Sequence, residues 1–240
     1  MILITHLFPD QEEYQKLLCV FKESAFQTMS GVNIKIVETE RPVLTEEQTT
    51  NHREAHHYYT SQAFIDLANV VLDLNEEVAV CDVDLMFLRS VNDFWAKYPH
   101  VDMAFTLREY KHPLNTGIWF YRPTENSKRF VKKWIQHTKE LTRNFAKGKR
   151  ELIDLDSGID QASLRLTMET CPKISRRWLP CVEWNATQSE WYHITPDTRV
   201  IHVKSLLRDV IMGRKELPES KEYLQPIVDK WKRYYETSSR

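Results

Sequence analysis

The opening of the chain, Met1 to Val37, constrains the fold more than any other stretch. MILITHL is an apolar run of strand length. Pro9-Asp10 then opens a segment whose apolar residues Tyr14, Leu17, Leu18, Phe21 and Ala25 recur at the helical period. Gly31 stops that helix, and Val32 to Val37 alternates Val, Ile and Ile with Asn and Lys, as a strand does. Strands joined through a helix lie parallel, so this unit predicts an α/β fold on a parallel sheet.

The remaining periodicities extend the pattern. A polar loop from Glu38 to Thr50 precedes a helix expected from about His52 to Asp73, and VAVCDVDLMFL is the next strand with its exit. Val101–Thr106 and Gly117–Tyr121 are further strand candidates. Phe130, Val131, Trp134, Thr138, Leu141 and Phe145 mark an amphipathic helix. Its basic face, Lys128, Arg129, Lys132 and Lys133, reads as solvated. KGKRELIDLDSG is expected to be a loop or lid, with Asp156-Ser157 capping the short helix after it. Arg199 to Val203 reads as a last strand, and Leu224, Ile227, Val228, Trp231 and Tyr235 as the apolar face of a C-terminal helix over about 217–237.

A chain of 240 residues fits one domain, expected over 1–240. Its 33 basic and 34 acidic side chains leave a net charge of -1, which supplies no field for nucleic acid. The stretch from Phe64 to Cys81 is broken by Asp66, Asp73, Glu76 and Glu77, so no membrane span is expected. The N-terminus lacks a basic region and turns acidic, unlike a secretory signal. Cys19, Cys81, Cys171 and Cys181 have no C-x-x-C spacing and read as reduced core residues of a cytoplasmic protein. In that compartment the sequon Asn185-Ala186-Thr187 carries no meaning.

Asp82 and Asp84 follow the wholly apolar Val78-Ala79-Val80-Cys81. They therefore sit at the carboxyl end of a buried strand, where open α/β sheets bind ligands. Paired hard oxygen donors suit Mg²⁺ or Mn²⁺ on a diphosphate, provided a turn follows the strand so that the two side chains converge. His52, His56 and His57 share a helix face, but with Tyr58 and Tyr59 beside them they read as an aromatic, half-buried surface rather than a metal site.

VAVCDVDLMFLRSVNDFW resembles the strand, D-x-D triplet and hydrophobic exit of GT-A glycosyltransferases. HPLNTGIWFYRPTENSKRFVKKW is similar to the Asn-x-Gly segment of that family, SGIDQASLRL to its Asp-Gln pair, and RVIHVKS to its late metal-binding histidine strand. The resemblance implies a GT-A-like, Rossmann-type sandwich with a central mixed, mostly parallel sheet flanked by helices, with a nucleotide-binding part at about 1–110 and an acceptor-binding part at about 111–205. It implies a nucleotide-sugar donor, UDP- or GDP-linked by preference, and a glycan or other hydroxyl acceptor. Asp84 would ligate Mn²⁺ or Mg²⁺, Asp82 the ribose or a metal-bound water, and His202 the metal through one ring nitrogen. Asn115 and Gly117 would meet the donor sugar, Lys204 and Arg53 the diphosphate, and Asp160 and Gln161 the acceptor and reacting carbon. Asp156 and Glu183 are reserve acids, and Trp184 and Trp191 suggest a sugar-stacking wall. The His-x-x-Gly-x-x-Lys-Pro-Trp pattern of some members is absent, and Gln62 stands where a basic residue is common. Two other readings stay open: a haloacid-dehalogenase-like phosphatase with Asp82 as nucleophile, for which Asp156-x-x-x-Asp160 mimics a later metal motif, and a non-catalytic nucleotide-sugar-binding module.

Overall fold

The computed structural model describes residues 1–45, 48–49, 52–109, 113–156, 158–171 and 173–238, with only the backbone of His52 and Arg53. The donor contact expected of Arg53, the histidine at 52, parts of the 38–50 loop, the histidine opening HPLNTG and the capping role of Ser157 lie outside the described residues.

The first unit folds as its periodicity requires: β1 (Ile2–Leu7), a helix over Glu12–Thr28, then β2 (Asn33–Glu38) parallel to β1. The Glu12–Thr28 helix is followed by Gly31 at φ 66°, in the left-handed region that glycine tolerates. A long helix over His52–Leu74 then crosses back to β3 (Val78–Cys81), which lies parallel to β1 on its other side. The sheet continues with β5 (Met103–Leu107), β6 (Leu114–Tyr121) and β7 (Arg176–Pro180), in the order β2-β1-β3-β6-β5-β7. Only β6 runs antiparallel to its neighbours.

All four residues of β3 are buried because both faces of the sheet are covered. Alternate side chains divide between two cores. Leu3, Ala79, Cys81, Ile118 and Phe120 face Phe21, Ala25 and Phe94. Ile4, Val78, Val80, Trp119 and Tyr121 face Phe64, Leu67, Trp134 and Leu164 of the helices over His52–Leu74, Glu125–Phe145 and Ile159–Thr170. The Glu125–Phe145 helix starts with a reciprocal cap, in which Thr124 Oγ1 accepts from Ser127 N at 3.2 Å and Ser127 Oγ from Thr124 N at 2.9 Å.

Two short strands escape periodicity. β4 (Leu85–Phe87) pairs antiparallel with β8 (Val200–His202), forming a separate ribbon. β7 is an edge strand whose exposed Arg176 and Arg177 discourage pairing with another chain. Other expectations are corrected. The 147–158 segment is not all loop: Glu151–Asp156 is helical and buries Ile153. Asp156 ends that helix and pairs with Arg165 Nε at 2.7 Å, while the residue capping Ile159–Thr170 is Gly158. The C-terminal segment begins with a 3-10 turn, Glu219–Leu224, and becomes a helix only over Gln225–Ser238, with Pro226 in its first turn. Among the described residues no helix is long and apolar enough to cross a membrane.

Candidate active site

Antiparallel pairing brings separated motifs to one point. Because β6 runs against β3, its start lies beside the end of β3, and Asp82 N donates to Gly117 O at 2.7 Å. The chain then turns, closed by Leu85 N to Asp82 O at 3.3 Å, and enters β4. β8 comes alongside with His202 opposite Leu85, and Val203 N donates to Asp84 O at 2.8 Å. The turn that lets the two aspartates converge is thereby held from both sides. His202 Nε2 lies 2.9 Å from Asp84 Oδ1 and 3.4 Å from Asp82 Oδ2. The candidate ligand atoms of Asp82, Asp84 and His202 all fall within 4.8 Å of one another, the one such group among the described residues.

His202 is fully buried, and burial lowers its pKa to about 4, so the ring is neutral at pH 7. Among the described residues its Nε2 makes no well-aligned hydrogen bond, although Asp84 Oδ1 lies 2.9 Å away. A neutral ring facing two carboxylates at this distance leaves a place for a cation between them, and the two-oxygen, one-nitrogen set suits a hard or borderline divalent ion. Behind the ring, Gly117 has no alternative: a Cβ there would lie 2.5 Å from His202 Cε1 and 2.9 Å from Asn185 Nδ2. Gly117→Ala should therefore displace His202, weaken Mn²⁺ binding at least about tenfold and destabilise the fold by about 1–3 kcal/mol, the usual cost of overpacking. Calorimetric Mn²⁺ titration and urea unfolding of the variant check both numbers.

Two cations flank the carboxylates. Lys204 Nζ is 3.7 Å from Asp82 Oδ2. Arg208 bonds Asp84 Oδ2 and also donates to Val203 O at 3.1 Å. Burial works against an ionised Asp84, but the adjoining His202 and then Arg208 outweigh it and hold the carboxyl well below the usual range. Burial raises Asp82 to about 7, aided by the negative charges of Asp84 and Asp160 and opposed by Lys204.

These groups line a cavity of about 760 Å³. At one end His6, Phe8, Tyr14 and Tyr59 form an aromatic wall, with Phe8 edge-on to both tyrosines at 6.1 Å and the Arg41 guanidinium 5.3 Å over Tyr59. At the other end Asp160, Gln161 and Thr116 line the cavity, and the Thr116 hydroxyl donates to Asp160 Oδ2. Among the described residues Gln161 Oε1 has no hydrogen-bond partner. Arg108 lines both this cavity and a second one of about 250 Å³, walled also by Pro180, Val182 and His193.

The sequence profile of the nucleotide-diphospho-sugar transferases matches residues 16–195. The chain belongs to this family. No curated protein sequence matches it. Its fold is that of solved glycosyltransferases. One involved in the glycosylation of the major capsid of PBCV-1 superposes with a TM-score of 0.60 at 14% identity, over 88% of this chain and 98% of that one. GlyE of Streptococcus pneumoniae TIGR4 gives 0.59 at 13%, over 98% of this chain and 63% of that one. The galactosyltransferase LgtC, in complex with donor and acceptor sugar analogs, gives 0.57 at 11%, over 99% and 96%. Family membership makes the chain a glycosyltransferase, and the phosphatase reading falls.

In this transferase several expected residues lie away from the cavity. Asn115 is buried in β6 and its Oδ1 accepts from Gly117 N at 2.9 Å, so Thr116 rather than Asn115 lines the cavity. Gln62 is tied to Asp66 at 2.9 Å, and Glu183 to Arg199 at 3.2 Å. Trp184 and Trp191 are core residues, each 1% exposed, because their rings are needed against Phe94 and the C-terminal helix; they form no stacking wall. His56 and His57 do line the cavity, with His57 edge-on to Phe145 at 5.3 Å. The sequon asparagine Asn185 is fully buried and hydrogen-bonded, which closes it to glycan attachment in the folded chain.

Arg208, which lines the cavity and bonds Asp84, was not singled out in the sequence. The signal was spacing: Ser205 and Arg208 stand three and six residues after His202, where the His-x-x-Gly-x-x-Lys pattern has Gly and Lys. Ser205 takes φ 47°, in the left-handed region that glycine adopts most readily.

Proposed function

We propose that this transferase moves a sugar from a UDP- or GDP-sugar to an acceptor hydroxyl, using Mn²⁺ held by Asp82, Asp84 and His202. The convergence of two carboxylates and a buried, neutral imidazole nitrogen supports this reading above all. One imidazole among oxygen donors favours Mn²⁺ over Mg²⁺, which keeps its water and prefers oxygen. A divalent ion held by these three residues would supply charge neutralisation for the departing nucleoside diphosphate.

The chain's own groups do the rest. Lys204 and Arg208 donate to the diphosphate oxygens. Phe8, Tyr14 and Tyr59 hold the nucleoside in their aromatic wall. Gly117 and Asn115 serve the donor side indirectly, the first by leaving space for His202 and the second by bracing β6. Asp160, oriented by Thr116, meets the acceptor hydroxyl together with Gln161, and the acceptor enters past Arg108 from the smaller cavity.

Thermal shift with UDP- and GDP-sugars, with and without Mn²⁺, tests this reading. A shift with one nucleotide that vanishes in chelator is expected. Arg208→Ala should weaken donor binding about ten- to a hundredfold, the loss of about 1.5–3 kcal/mol for a hydrogen bond to a charged group. Equal stabilisation by donor in chelator and in Mn²⁺ would contradict the metal role.

A further inference from the structure

We infer that Asn185 is a positioning residue that makes His202 a metal ligand rather than a hydrogen-bond donor, and that Thr106 sets Asn185. The inference rests on the reading of Asp82, Asp84 and His202 as a metal site. It starts from the Thr106 hydroxyl, which donates its single hydrogen to Asn115 O at 2.7 Å. Thr106 Oγ1 can then only accept from Asn185, so the Asn185 atom 3.0 Å away is its NH₂ group. The other amide atom, turned toward His202 Nδ1 at 2.9 Å, is the oxygen. An amide oxygen accepts and never donates, so Nδ1 carries the ring hydrogen and Nε2 keeps its lone pair.

That lone pair points at the carboxylates, with Nε2 2.9 Å from Asp84 Oδ1. Were the amide turned over, its NH₂ would face Nδ1, the hydrogen would move to Nε2, and His202 would donate to Asp84 with no nitrogen left for an ion. Thr106, Asn185 and His202 are all fully buried, which leaves no bulk water to substitute for these bonds. The backbone fixes Asn185 in place: its N donates to Cys181 O at 2.8 Å, and the next residue brackets β8, with Ala186 N to Val200 O and His202 N to Ala186 O both at 2.9 Å. None of these three residues lines the cavity, so Thr106 and Asn185 reach the carboxylates only through His202.

Two readouts test the inference. Long-range ¹H–¹⁵N spectra of the metal-free, ¹⁵N-labelled protein report the tautomer of His202, identified by its loss in His202→Gln. The Nδ1–H form is expected in the wild type and in Thr106→Ser, and a shift toward Nε2–H in Asn185→Leu and Thr106→Val. Mn²⁺ titration followed by electron paramagnetic resonance should show affinity lower by about 10- to 100-fold in Asn185→Leu, the range for lost supporting bonds of metal-binding histidines, and near-normal affinity in Thr106→Ser. If Asn185→Leu does not fold, Thr106→Val carries the same test. An Nε2–H or doubly protonated His202 in the wild type overturns the inference. So does unchanged Mn²⁺ affinity in a folded Asn185→Leu or Thr106→Val. No Mn²⁺ binding by a wild type with the Nδ1–H tautomer overturns instead the metal reading beneath it, and with it the ligand role of Nε2.

Discussion

Asp84→Asn should lower the rate of sugar transfer at least about 10³-fold, or about 4 kcal/mol of transition-state stabilisation. The substitution preserves shape and removes one charge. Asp84 divides its two oxygens: Oδ2 is held by Arg208, and Oδ1 faces His202 Nε2. His202 and Arg208 together keep the carboxyl ionised, so at neutral pH the wild type presents a negative charge to an ion. An amide presents none, and whichever way it turns it sets either a weak neutral donor at the metal position or an NH₂ group against Arg208. The fold should survive, since Arg208 retains the Val203 carbonyl and lies 3.8 Å from Glu13. Initial rates in saturating Mn²⁺ check the size of the effect, and a melting curve checks the fold. Retention of more than a tenth of the wild-type rate would remove Asp84 from the chemistry.

Trp134→Ala should destabilise the protein by about 3–5 kcal/mol, a large share of the roughly 5–15 kcal/mol that holds a domain together. Trp134 has no exposed surface and packs against four rings: Phe64 at 4.2 Å, Trp119 at 5.3 Å, Phe105 at 5.9 Å and Phe130 at 6.3 Å. Its indole N–H is shared between Ser163 Oγ at 3.0 Å and Asp160 O at 3.2 Å. The residue therefore fixes the core helix to the turn that carries Asp160. Trp134→Phe keeps most of the bulk and loses this bond, so it should cost less stability yet still lower kcat with little change in donor affinity. Urea midpoints for both variants, with transfer rates for the second, give the comparison. A loss below about 1 kcal/mol in Trp134→Ala would mean the core relaxes into the space, contrary to the close packing described.

Much of this was legible in one dimension. Leu17, Leu18 and Phe21 share a helical period, and Val78 to Cys81 form an unbroken apolar run. Those patterns act over a few residues, so the first strand-helix-strand unit and the position of the aspartate pair could be read without neighbours. Trp184 and Trp191 show the opposite case. A tryptophan beside a polar loop looks the same whether it faces a sugar or a core, and the difference lies in Phe94, Phe120 and the C-terminal helix, which come from distant parts of the chain.

By itself the sequence determined the α/β class, the family and the two acids that end β3, because each is carried by short-range pattern. Only the tertiary structure decided which groups meet those acids. The three-residue strands β4 and β8 lie more than a hundred residues apart and have too few side chains for a period, yet their pairing sets His202 against Asp84 and carries Arg208 in behind it. Asn185 and Thr106 join them through buried hydrogen bonds that exist only when three strands and a helix end have already packed, which is why no local pattern announced them.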